Sequence, residues 1–103
     1  MNQIEELRAV IKQLHGATAV HVKSVPVKET WKGQTVWDGI VEVFDITGNP
    51  KTGRVYAWSH ETDDPKNPIQ HVTVLHIPPA ISPETAVRTA LVQEYRNAHP
   101  VQA

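Results

Sequence analysis

Arg54-Val55-Tyr56-Ala57-Trp58-Ser59-His60-Glu61 is the stretch on which the fold turns. Val, Tyr and Trp fit a pleated, half-buried surface. Turn-forming residues enclose the stretch: Gly48-Asn49-Pro50 and Lys51-Thr52-Gly53 before it, Asp63-Asp64-Pro65-Lys66-Asn67-Pro68 after it. It therefore reads as a strand. Side chains alternate across a strand, so Val55 and Ala57 share one face and Arg54, Tyr56, Trp58 and His60 the other. The small apolar pair is expected to face a helix layer. The second set is expected on an open face.

Working outward, the same reading gives three more strands. Thr35 to Ile46 precedes the Gly48 turn, and Ile69 to Ile77 follows the Asp63–Pro68 loop. Trp31-Lys32-Gly33-Gln34 reads as a hairpin loop, and Thr18 to Glu29 as the strand before it. Val20 and Val22 have one parity, Val25 and Val27 the other, and the switch falls at Ser24 to Pro26. One extra residue in a bulge would return them to one face. Pro26 has no N–H to offer a neighbour, which places this strand at an edge. Short loops between successive strands predict an antiparallel meander. By parity, Val20, Val22, Val41, Val43, Val72 and Val74 point inward, while His21, Asp38, Glu42 and His71 point outward. Phe44 and Ile46 fall on the outward side. Gly39 falls inward, where a helix could approach the backbone.

Helices flank this run. From Met1 to His15, Ile4, Leu7, Val10 or Ile11, and Leu14 recur at helical spacing, and Gly16 is the expected stop. From Ser82 to His99, Ser82 is the expected cap, with Pro83 at the first helical position and Glu84 in the first turn. Ala86, Val87, Ala90, Leu91, Tyr95 and Ala98 form its stripe, and Pro100 closes it. The expected fold is α+β over residues 1–103 as one domain: a two-layer sandwich, helix–four-stranded antiparallel meander–helix, with both helices on one sheet face.

Composition narrows the function. Ten basic and eleven acidic residues leave a formal charge of −1, which argues against nonspecific nucleic-acid binding. With no Cys there is no disulfide framework, thiolate metal site or Cys nucleophile. No signal-peptide pattern or membrane-length apolar run stands out, so a cytoplasmic protein without a membrane partner is expected.

Motifs give little chemistry. His21, His60 and His71 could meet Asp38 or Glu42 as metal ligands, but no H-E-x-x-H or paired-His helix motif is present. No metal and no cofactor are expected. Asp38, Glu42 and Asp45 with His60 could form a carboxylate–His pair for general base work, yet a solvated charged face reads the same way. Ser24, Ser59 and Ser82 are the only serines, and none lies in G-x-S-x-G. Glu61-Thr62-Asp63-Asp64-Pro65 lacks the register of a calcium loop.

The helix–strands–helix order is similar to that of double-stranded-RNA-binding domains, which carry three strands between their helices. The resemblance implies a basic cluster at the start of the second helix. Ser82-Pro83-Glu84-Thr85-Ala86-Val87-Arg88 offers one Arg beside a Glu.

The expected function is a small noncatalytic binding or assembly module meeting a protein partner or a second copy through the open sheet face. Tyr56, Trp58, His60, Glu42, His71 and Arg54 are its candidate surface. A small-molecule binder, or a small hydrolase-like enzyme with a His/carboxylate site, is the alternative. RNA binding comes third.

Overall fold

A computed structural model describes residues 3–98, and the side chain of Ala98 is not among the described groups. The expected roles of Met1, Ala98, His99 and Pro100 lie outside the described residues or side chains. The elements run α1 (Gln3–His15), β1 (Thr18–Trp31), β2 (Gln34–Thr47), β3 (Arg54–Glu61), β4 (Ile69–Leu75) and α2 (Pro83–Ala98). The four strands form one antiparallel sheet in the order β1-β2-β3-β4. The chain is thus an α+β domain with a helix–meander–helix order.

Local chemistry explains the boundaries. Gly16 N–H donates to Lys12 O at 3.0 Å and ends α1. Lys32 and Gly33 have φ of 51° and 78°, which makes the two-residue β1–β2 turn the primed type whose twist suits a hairpin. Gly accepts that φ without a Cβ clash. Ser82 caps α2, with Thr85 N–H 3.2 Å from its Oγ. A bulge is present, but at Val22 and not at Ser24 to Pro26 where the parity switch falls: His21 pairs with Phe44 and Lys23 with Val43. It brings Val20, opposite Asp45, onto the face of Val25 and Val27. Val20 nonetheless stays 64% exposed, and Val22, the extra residue, 44%. Neither is the inward residue that parity suggested.

The helices take opposite faces of the sheet. Directly paired residues share a face. Phe44, Val55 and Leu75 line up on one face, and Val43, Tyr56 and Val74 on the other. Leu7 and Ile11 of α1 pack with Phe44, Ile46, Val55 and Ala57. Ala86 and Val87 of α2 pack with Val41, Val43, Tyr56 and Trp58. The sheet therefore separates two cores, where one helix layer had been expected. The reason is visible in β2 and β3, which carry large apolar side chains at both parities. One helix layer covers only one of those rows.

Two expected placements change with this. Tyr56 and Trp58 are each 2% exposed and are core residues, with no open aromatic face above them. Tyr95 is 65% exposed and does not join the buried stripe of α2.

Candidate functional site

The sheet has a gap. The β2–β3 ladder stops at Glu42↔Ala57. The β1–β2 ladder runs on to Trp31↔Gln34, and the β3–β4 ladder to Glu61↔Ile69. Past Ala57 the two central strands part. On the α2 side the space between them is a cleft of ≈ 320 Å³. Val36, Trp37 and Asp38 come from β2, Trp58 and His60 from β3, and Val87, Ala90, Leu91 and Glu94 from α2.

Two indoles wall this cleft. Trp37 and Trp58 meet edge to face, with ring centroids 5.6 Å apart. That geometry suits the positive edge and negative face of aromatic rings. Trp37 can lie along β2 because residue 39 is Gly. A Cβ there would stand 3.0 Å from Trp37 Cη2 and 3.3 Å from Cζ2. The space over Gly39 is thus filled by an indole, where a close helix had been expected. Gly39→Ala should push the indole off Trp58 and cost about 1–3 kcal/mol, as overpacking does. A changed near-ultraviolet circular dichroism spectrum with a lower urea midpoint would show it. An unchanged spectrum would mean that the ring does not rest there.

Apart from the indole N–H groups of Trp37 and Trp58, the polar side chains of the cleft offer acceptors. His60 Nδ1 is 3.1 Å from Glu61 O. In the neutral ring Nδ1–H donates to that carbonyl, and Nε2 keeps its lone pair. Nε2 is buried and has no hydrogen-bond partner. Most buried polar atoms are partnered, so an orphan needs a reason. Asp38 and Glu94 add carboxylates, and neither has an ion pair among the described residues.

Of the six candidates read from sequence, the structure brings Trp58 and His60 together here. Tyr56 lies in the core below α2, with Oη 2.6 Å from His76 Nδ1. Burial pushes its phenol above its ordinary pKa, so it keeps its proton. Arg54, at the other end of β3, pairs with Asp45 at 3.1 Å. Glu42 and His71 sit on the α1 face. Glu42 is 7% exposed and accepts from both Ser24 and His21, the latter at 2.9 Å. These two partners flank the bulge at Val22, so the buried carboxylate pins the bulged segment of β1 to β2. Among the described residues, no three His, Asp or Glu side chains gather into a metal-binding group.

His71 deserves comparison with a hydrolytic triad. Its Nδ1 is 2.6 Å from Ser59 Oγ, and its Nε2 is 3.9 Å from Glu6 Oε2. The second distance is too long for a hydrogen bond. Ser59 and His71 are direct cross-strand partners, and Ser–His pairing is an ordinary contact at such a position. In the loop after β3, Asp64 accepts from Lys66 N–H and the Asn67 amide, which hold its carboxyl below the usual range.

Trp37 and Glu94 were not singled out from sequence, and Leu91 only as part of the helix stripe. Trp37 was legible only as one more aromatic in a strand. Glu94 was one more charge on an amphipathic helix. No helix among the described residues is long and apolar enough to cross a membrane. Compared with known protein families, curated proteins and solved structures, the chain matches none.

Proposed function

We propose that the protein is a noncatalytic small-molecule-binding module whose cleft takes an organic cation with N–H donors, such as a primary ammonium. The carrying observation is the pairing of two carboxylates with two indoles in one cleft. Trp37 and Trp58 stand in its wall beside aliphatic side chains, and an indole attracts cations through its negative ring face. Beside the indole N–H groups, its polar side chains are two carboxylates without an ion pair among the described residues and one orphan imidazole nitrogen, all of which can accept. The volume of ≈ 320 Å³ lies at the small end of ordinary ligand pockets. A cytoplasmic setting accords with a cysteine-free chain.

Titration with hexylammonium, hexanol and hexanoate tests this directly. Trp31 is 67% exposed at the hairpin turn, so a Trp31→Phe background leaves Trp37 and Trp58 as reporters. Hexylammonium should perturb their fluorescence at lower concentration than hexanol, and hexanoate should not bind. Asp38→Asn and Glu94→Gln should each weaken hexylammonium about two- to fivefold, the range for exposed ion pairs. A hexyltrimethylammonium ion has no N–H, so His60→Phe should erase the preference for the primary amine. Equal binding of hexanoate, or no response to any of the probes, would defeat the reading.

A further inference from the structure

We propose that the outer edge of β4 pairs with the same strand of a second copy, joining two sheets into one. The two edges of this sheet are built differently. β1 carries a bulge at Val22, Pro26 within the strand, and Lys23 and Lys28 beside it. Bulges, prolines and lysines are the devices that keep an edge from pairing. β4 reads Ile69-Gln70-His71-Val72-Thr73-Val74-Leu75, with no Pro, no Gly, no Asp, Glu, Lys or Arg, and no bulge.

The backbone of β4 also has a definite outward set. His76 N–H donates to Arg54 O at 3.0 Å, and Thr62 N–H donates to Pro68 O at 2.9 Å. At both ends, then, even-numbered residues turn their groups toward β3. By alternation, Ile69, His71, Thr73 and Leu75 turn theirs away from the sheet. A two-fold axis through Val72 pairs His71 with Thr73 of the partner subunit, and Ile69 with Leu75 of the partner subunit. Every outward N–H and C=O then meets its complement in both copies. The strand itself carries no formal charge, and the Glu6 carboxylate beside it lies 3.9 Å from His71 Nε2.

Side chains favour the same joint. A groove of ≈ 530 Å³ runs beside β4, between Val10, Gln13 and Leu14 of α1 and Ile69 and His71, with Asp64 of the preceding loop also in its lining. Leu14 is 62% exposed and Ile69 54%. The two-fold register brings Leu75 of the partner subunit beside Ile69, on the α1 face. Apolar surface that is bare in one copy is thereby covered in two.

The test is solution mass by light scattering, together with amide exchange. The full chain should have twice its mass of 11.5 kDa. The His71 and Thr73 amides should exchange slowly, although they point away from β3. Ile69→Glu should weaken the dimer at least about tenfold, since it buries a charge at the joint. Its far-ultraviolet spectrum should stay unchanged, because the residue is half exposed in the single chain. Val22→Glu, on the other edge, should leave the dimer intact. A monomer at every concentration, with fast exchange at His71 and Thr73, would overturn the proposal and leave the edge to a strand from another protein. A dimer that survives Ile69→Glu but is lost with Val22→Glu would overturn it too.

Discussion

Trp58→Ala is expected to lower the free energy of unfolding by about 3–5 kcal/mol. Trp58 is 2% exposed and packs with Val87 of α2, Val43 of β2 and the edge of Trp37. Truncation removes buried apolar area and leaves a cavity between β3 and α2. Neighbours on a sheet and a helix can collapse only partly into such a space. A domain of this kind commonly has about 5–15 kcal/mol in total, so the variant should stand near its unfolding threshold. Urea denaturation would read the effect as a lower midpoint with an unchanged slope. Amides of α2 should exchange faster than those of α1. An aromatic on an open face would behave otherwise, with the midpoint scarcely moved. That result would show that α2 does not cover Trp58.

The elements were legible in the sequence because their signals are local. Helical spacing from Ile4 to Leu14, Ser82-Pro83 at a helix entry and Gly33 at a tight hairpin each act within a few residues. That β1 holds a bulge was legible from the parity change between Val22 and Val25, but its place at Val22 was not. The distribution of helices between the faces was not, because parity works only when one face is polar. In β3 four consecutive residues, Val55 to Trp58, are buried. A strand covered on both sides carries no apolar–polar alternation. The usable signal lay in β2, where Phe44 and Ile46 stood on the face assigned to solvent. Large apolar residues at both parities of neighbouring strands mark a sheet with two covered faces. The cleft was harder still. It depends on where the β2–β3 ladder stops, and no residue of either strand announces that. Trp58 and His60 were found by parity along β3, whereas Trp37 and Glu94 reach the cleft only through tertiary packing.

Phe44→Ala should cost a similar amount, about 3–5 kcal/mol, and act on the opposite side of the sheet. Phe44 is fully buried among Leu7, Ile11, Ala19 and Val55. The ring of His21 meets it edge on, with centroids 5.3 Å apart. The apolar hold on α1 passes through this residue, since Leu7 and Ile11 are the two fully buried side chains of that helix. What would remain are the thinner apolar contacts to Ile46, Val55 and Ala57 and two polar ties: Arg8 Nε to Ala19 O at 2.8 Å, and His15 to Thr73 at 2.8 Å. Hydrogen bonds of this kind contribute about 0.5–1.5 kcal/mol each, less than the core that is lost. Exchange should therefore quicken first in α1, while Trp37 and Trp58 keep their native fluorescence below the unfolding transition. The pair of variants thus separates two cores that share only the sheet. If Phe44→Ala loosened α2 as much as α1, the sheet would not insulate its faces. The cleft would then have to be treated as coupled to the α1 core.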